Sequence, residues 1–172
     1  MERLKAVTEE EWNLCNEYNR ELTEEFLANS PQLSDQTKKI YLSNLMIWFN
    51  WVREHNKNKA EYEIKSIEFM KYQNWLINKG HSSNDISNKR AAVSTINNYI
   101  VLFYQDDYPT FKNFIVKGMP RPEKQFVRPK EPPTKEEFEN IVSTMEERED
   151  WQKVAYLLYT YDTGCRRAES VQ

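Results

Sequence analysis

The chain has 172 residues, of which 39% are hydrophobic and 13% aromatic, so it can bury a core and is not a disordered polypeptide. Its net charge of −3 hides a segregation, because residues 1–30 carry −5, residues 31–130 carry +7 and residues 131–172 carry −5. A basic middle between acidic ends is what a polyanion-binding face requires, with chance clustering on solvated helix faces as the alternative.

The same composition excludes several classes of protein. No apolar run approaches the roughly 18 residues of a membrane span, and the charged N-terminus has no signal-peptide core. Cys15 and Cys165 are typical of free thiols in a reducing cytoplasm, where we expect the protein to reside. His55 and His81 have no further ligands at metal-binding spacing, so no metal is expected.

Three glycines in the whole chain and long stretches of 3.6-residue periodicity predict an all-α fold. Capping residues mark the helix starts: Thr8 with Glu11, and then Ser34. Pro109 suits the first turn of a short helix. The predicted helices are Glu9–Ala28, Asp35–His55, Ser66 to just before Gly80, Ser83 or Asp85 to Gln105, and Pro109–Val116.

The amino-acid composition changes between residues 117 and 133. Five prolines there exclude a regular helix and favour an extended basic linker. Beyond it, Thr134 and Glu137 form another capping box, which predicts a helix to about Glu147. A further helix is predicted from about Asp150 to Asp162. The sequence therefore predicts a helical domain over residues 1–116, a linker over 117–133 and a second segment over 134–172.

Basic and small polar side chains are predicted on helix faces opposite the apolar stripes. Such groups grip phosphate oxygens, and Arg, Asn and Gln also read base edges, so the expected partner is double-stranded DNA. The second helix offers Ser34, Gln36, Thr37, Lys38 and Lys39. The fourth helix offers Ser87, Asn88, Lys89, Arg90, Ser94 and Asn97. The linker adds Lys117, Arg121, Lys124, Arg128 and Lys130.

The last ten residues of the chain carry a possible catalytic motif. Gly164 follows a predicted helix, and Arg166 comes three residues before Glu169, so a carboxylate can steady a guanidinium that leaves a tight turn. A planar, permanently charged guanidinium suits a phosphate in a strand-cleaving reaction. The alternative is an ordinary corner between two helices with solvated arginines.

Three segments together resemble one family. Residues 163–169, Thr-Gly-Cys-Arg-Arg-Ala-Glu, are similar to the T-G-x-R-x-x-E box of the tyrosine recombinases, the phage-integrase family. Residues 132–137 resemble the P-x-T-x-E-E opening of that family's catalytic domain, and residues 23–116 resemble its core-binding domain. The resemblance implies a SAM-like core-binding domain of four to five helices. The linker and the truncated start of the catalytic domain would follow it, closing a clamp around duplex DNA.

The resemblance also implies a reaction, in which a tyrosine forms a covalent link to DNA and arginines stabilise the charge on the phosphate. That covalent link conserves the energy of the phosphodiester bond, so the resemblance implies no cofactor. Arg166 matches the first arginine of the set, and Glu169 matches the supporting acid. The chain stops at Gln172, before the family's lysine, H-x-x-R box and nucleophilic tyrosine, so we expect it neither to cleave nor to join DNA. Full-length relatives assemble as homotetramers on DNA, whereas a monomer is compatible with this shorter chain.

Two other functions remain open from the residues alone. One is a helical protein-interaction module whose acidic ends bind basic partners. The other is a stand-alone DNA-binding regulator that occupies sites without cutting them.

Overall fold

The computed structural model describes residues 5–123, 131–166 and 169, and these form α-helices with no β-strand among them. The all-α prediction is confirmed. Within the described residues the helices are α1 (Glu9–Asn13), α2 (Glu17–Ala28), α3 (Asp35–His55), α4 (Ser66–Asn78), α5 (Ser83–Phe103), α6 (Lys135–Glu147) and α7 (Trp151–Thr163), with a 3₁₀ turn at Glu61–Glu63. None of the helices in these ranges combines the length and apolar character that a membrane crossing needs.

The chain divides into two compact units, residues 1–125 and residues 126–172. Helices α1 to α5 belong to the first unit, and α6 and α7 belong to the second. The predicted boundaries at 116/117 and 133/134, and the SAM-like assignment of the first unit, stay predictions.

The core of the first unit is built around α3 and α5. Trp48 of α3 is fully buried, with the rings of Phe69, Tyr72 and Phe114 centred 4.8–6.4 Å away. From α5, Val93, Ile96 and Ile100 are also fully buried. Helical spacing of apolar residues predicts all three of these positions to be core, and it predicts the same for Ile40, Ile67 and Phe103, which are exposed.

The predicted first helix is broken in two, so the range Glu9–Ala28 is wrong at residues 14–16. Asn16 caps α2 with its side-chain oxygen, which accepts from the backbone N–H of Tyr18 at 3.0 Å. Its own N–H donates to Asn58 Oδ1, and its Nδ2 donates to the Asn58 carbonyl, both at 2.8 Å. These bonds to a loop 42 residues away hold the backbone out of the helical path.

The predicted fifth helix over 109–116 is also wrong, because this segment is irregular. Asn113 explains the difference. Its Nδ2 donates to the Ser94 carbonyl, to Ser94 Oγ and to Asn98 Oδ1 at 2.7–3.0 Å, while its Oδ1 accepts from the N–H of Ile115. Such side-chain bonds compete with the helical ladder, and they hold the segment along α5.

The second unit is a hairpin of two helices. The capping box predicted at α6 is present, since Thr134 Oγ1 accepts from the Glu137 N–H at 3.2 Å and the Glu137 carboxylate accepts from the Thr134 N–H at 2.8 Å. Phe138 and Tyr161 stack with their ring centres 4.2 Å apart. Helix α7 ends at Thr163 and is capped by Gly164, whose φ of +63° is the left-handed conformation that favours glycine.

Candidate nucleic-acid interface

A cleft of about 270 Å³ lies between α5 and the segment that follows it in the first unit. Three of its α5 residues, Ser87, Ala91 and Ser94, are spaced four and then three apart and so share one face of the helix. Their small side chains leave room for a ligand to approach the backbone. The lining is Ser87, Arg90, Ala91, Ser94, Ile115, Val116, Lys117 and Arg121.

The charge of this cleft is positive and uncompensated. Arg90, Lys117 and Arg121 line it, and none of them has a carboxylate within 4 Å among residues 5–123, 131–166 and 169. Lys117 and Arg121 are exposed. Burial, and secondarily the positive charge of Arg121, lower the pKa of Arg90 below its ordinary value, which indicates that two guanidinium groups repel each other here. An anion in the cleft would relieve that repulsion.

The predicted exposed placement of three α5 residues is wrong, while their contact with DNA stays a prediction. Lys89 and Arg90 are 5% and 7% exposed, and Asn97 is fully buried. The reason is that α5 is covered by α3, by α4 and by the segment after it, which leaves only a narrow exposed stripe. Lys89 turns away into an ion pair, with its Nζ 2.6 Å from Asp85 Oδ1.

Asn97 provides a test of this correction. Neither its Oδ1 nor its Nδ2 has a hydrogen-bond partner among the described residues, and an unsatisfied buried amide is destabilising. We expect Asn97→Leu to raise the free energy of unfolding by about 1–2 kcal/mol in urea denaturation, with unchanged duplex affinity. The matched control is Asn88→Leu on the exposed stripe, where no gain in stability is expected. A loss of DNA affinity in a folded Asn97→Leu variant would contradict the structural role.

The residues predicted at the start of α3 lie elsewhere in the first unit, since none of them lines the cleft. Ser34 is engaged as the N-cap, because its Oγ accepts from the Thr37 N–H at 3.3 Å and lies 2.9 Å from Thr37 Oγ1. Gln36 and Lys39 are exposed and Lys38 is half-buried. Of the predicted linker contacts, Lys124, Arg128 and Lys130 lie outside the described residues.

Ser87 and Asn88 are exposed, and Ser94 is half-buried at the cleft. The sequence prediction missed Ala91, which lies on the cleft face, and Gln73, which contacts Arg90. Ala91 has no polar group that could have marked it. Gln73 lies on another helix, so only the tertiary structure brings it beneath the cleft.

Two residues of the candidate catalytic motif, Arg166 and Glu169, contact each other in the second unit. Glu169 accepts from the backbone N–H of Arg166 at 2.8 Å, and its other oxygen lies 3.8 Å from Arg166 Nη1. The Arg166 side chain is 88% exposed, so its guanidinium is free to meet a phosphate from solvent. The local pairing expected of the two residues is therefore present, while their catalytic role stays a prediction.

The chain is 35% identical to the SPbeta prophage-derived recombinase-like protein YomM of Bacillus subtilis (strain 168), over 99% of this chain and 51% of that protein. It thus spans about half the length of this curated relative. No family model matches the chain, and no solved structure matches it. A relationship to a recombinase-like protein agrees with the motifs at residues 132–137 and 163–169.

Proposed function

We propose that this chain is the DNA-binding N-terminal part of a site-specific tyrosine recombinase. The observation that carries the proposal is the cleft of the first unit, where Arg90, Lys117 and Arg121 gather without a carboxylate partner in the described ranges. The recombinase-like relative and the order of the two sequence motifs support the same class.

The cleft suits the sugar-phosphate backbone of a duplex better than a base edge. Lysine and arginine neutralise phosphates, and a hydroxyl such as that of Ser94 can donate to a phosphate oxygen, whereas the Ser87 hydroxyl donates to the Ser83 carbonyl at 2.8 Å. Backbone contacts of this kind fix the register and orientation of a protein on DNA, while base contacts specify the sequence. We assign base reading to exposed amides such as Gln36 and Asn88, which have the donor and acceptor groups that it needs.

In the complete recombinase, Arg166 would stabilise the negative charge that develops on the scissile phosphate. Glu169 would orient it through the contacts described above. A phosphotyrosine link conserves the energy of the phosphodiester bond, so the rejoining step would need no nucleotide cofactor. The supporting observation is that the guanidinium of Arg166 is exposed and has one carboxylate beside it.

The proposal is tested by titrating a fluorescently labelled duplex with the protein and following the anisotropy. With about six phosphate contacts, affinity should fall on the order of a thousandfold between about 50 and 200 mM salt. A single strand of the same length serves as the control for simple polyanion binding and should bind more weakly. Absence of duplex binding at the lower salt concentration, or binding that ignores salt, would overturn the proposal.

A second candidate function, a helical protein-interaction module, is favoured by the apolar surface of the second unit. Ile141, Trp151, Leu158 and Tyr159 of its two helices are all more than 40% exposed. An exposed set of large apolar side chains is typical of a protein contact. This candidate predicts binding of a basic peptide to the acidic residues 131–172 and no binding of the duplex, so the same titration with both probes separates the two functions.

A further inference from the structure

Arg90 is buried beneath the cleft, yet its partners carry no formal charge. Its Nη1 donates to Gln73 Oε1 at 3.0 Å and to the Pro120 carbonyl at 3.3 Å. Its Nη2 donates to the carbonyls of Val116 and Met119, both at 3.4 Å. A buried cation is costly unless it is hydrogen-bonded, and here the bonds go to a segment 26–30 residues further along the chain.

Gln73 of α4 completes this arrangement. It is 2% exposed, and while its Oε1 accepts from Arg90, its Nε2 donates to the same Pro120 carbonyl at 3.0 Å. The two side chains therefore join α4, α5 and the segment after α5 at one point. Both side chains are at most 7% exposed, so Arg90 borders the cleft from beneath and Gln73 lies outside its lining.

The segment from residue 113 to residue 120 is irregular but attached to α5 at both ends. Asn113 bonds to Ser94 and Asn98 at one end, and Arg90 holds the carbonyls at the other. Lys117 lies between Val116 and Met119, whose carbonyls Arg90 binds, and Arg121 follows directly after Pro120. The backbone beside both exposed cations is therefore held by the buried one.

We propose that Arg90 is a positioning residue, whose guanidinium fixes residues 116–120 against α5 so that Lys117 and Arg121 present their charges at one cleft. The inference rests on the proposed DNA binding and adds to it the residue that organises the site. Arginine suits this role because its planar fork directs several donors at once, whereas a lysine ammonium is a point charge on a flexible stem.

The first measurement compares Arg90→Met with Arg90→Lys in the duplex titration. The salt slope is the slope of log affinity against log salt concentration, and each neutralised phosphate contributes about 0.9 to its magnitude. If Lys117 and Arg121 each neutralise one phosphate, Arg90→Met should lower affinity on the order of tenfold and reduce the magnitude of the salt slope by about 1.8. Arg90→Lys keeps the positive charge but loses the planar guanidinium with its several donors, so it should not restore the wild-type salt slope. Full recovery with lysine would overturn the positioning role and leave a purely electrostatic one.

The second measurement is a double-mutant cycle. In a Lys117→Ala/Arg121→Ala background, Arg90→Met should cause no further loss of affinity, because the groups that it positions are already gone. Losses that simply add would contradict the inference, since they would mean that Arg90 contacts DNA itself or acts through general destabilisation. Lys71→Met, an exposed cation of α4 outside the cleft, is the matched control.

Hydrogen exchange tests the same inference without DNA. Amides of residues 113–121 should exchange faster in Arg90→Met, while the amides of α3 keep their protection. If Arg90→Met fails to fold, Gln73→Met removes one attachment of the Pro120 carbonyl and should shift both readouts in the same direction. If the wild-type protein does not bind the duplex, the proposed function is wrong. If the wild-type protein binds, but the folded variants keep its salt slope and its amide exchange rates, only this inference is wrong.

Discussion

Replacing Glu61 by glutamine is expected to stabilise the first unit by about 4 kcal/mol at pH 8 and to change its stability little at pH 5. Glu61 is fully buried in the 3₁₀ turn between α3 and α4. Its Oε2 accepts from Trp48 Nε1 at 2.9 Å, and its Oε1 has no hydrogen-bond partner among the described residues. Burial raises the pKa of this carboxyl group from 4.5 to about 8, against the opposing hydrogen bond from Trp48.

The direction of the pH dependence follows from proton binding. In the unfolded chain Glu61 loses its proton above about pH 4.5, while in the folded protein it keeps the proton up to about pH 8. Between these values the unfolded state binds fewer protons, so stability falls as the pH rises. Glutamine is neutral at every pH and can still accept from Trp48, so it removes the decline.

Asp85 changes stability with pH in the opposite direction to Glu61, and it does so at lower pH. Burial alone would raise the pKa of Asp85, but hydrogen bonds from Lys89 and His81 outweigh it and lower that pKa below its ordinary value. Its contribution to stability is therefore present above the unfolded pKa of 3.8 and is lost as the pH falls further. The two carboxyl groups thus affect separate pH ranges, and the Glu61 effect can be read between about pH 5 and pH 8.

The measurement is urea denaturation followed by tryptophan fluorescence at several pH values. Trp12, Trp48, Trp51 and Trp75 all lie in the first unit and report on it. The control is Glu24→Gln, at an exposed position on α2. This variant should lose stability with rising pH as steeply as the wild type does. Wild-type stability that stays flat from about pH 5 to pH 8 would show that Glu61 is ionised in the folded protein.

Local signals in the sequence were sufficient for several helices. Helix α3 spans Asp35–His55 as predicted, because Ser34 caps it and its apolar spacing is regular throughout. Helix α6 follows its capping box in the same way. Both predictions depended only on residues within a few positions of each other, and such bonds form wherever the chain is locally helical.

Errors arose where a distant partner decides the local structure. The break at Asn16 depends on Asn58, and the irregular segment around Asn113 depends on Ser94 and Asn98 of α5. Neither partner can be read from the spacing of apolar residues. The predictions failed because side-chain bonds formed across the fold replaced helical backbone bonds at these points.

At the candidate site, too, the sequence pattern could not show which charged residues are on the surface. Segregation of charge correctly places an excess of cations between residues 31 and 130, but it cannot tell a surface cation from a buried one. Lys89 and Arg90 are neighbours in sequence, yet Lys89 pairs with Asp85, while Arg90 donates to the carbonyls of residues 116, 119 and 120. The spacing of apolar residues predicts one buried face for each helix, whereas α5 is covered on several sides.

Charge reversal at the cleft should have the largest effect on DNA binding. Lys117→Glu/Arg121→Glu is expected to lower duplex affinity on the order of 50-fold or more at about 100 mM salt and to reduce the salt slope by about 1.8. Each cation that neutralises a phosphate releases condensed counterions, and a carboxylate in its place adds repulsion. Both side chains are exposed and form no hydrogen bond or ion pair within the described ranges, so circular dichroism and thermal unfolding should stay at wild-type values.

The matched control for this variant is Lys57→Glu/Lys71→Glu, which changes the net charge by the same amount at two exposed positions outside the cleft. Long-range electrostatics would weaken binding equally in both variants, because the overall charge is the same. Contact with phosphates requires short distances, so only the cleft variant should change the salt slope. Equal slopes for the two variants would mean that DNA is attracted by the overall field of the basic region, and the cleft would then have no special part in binding.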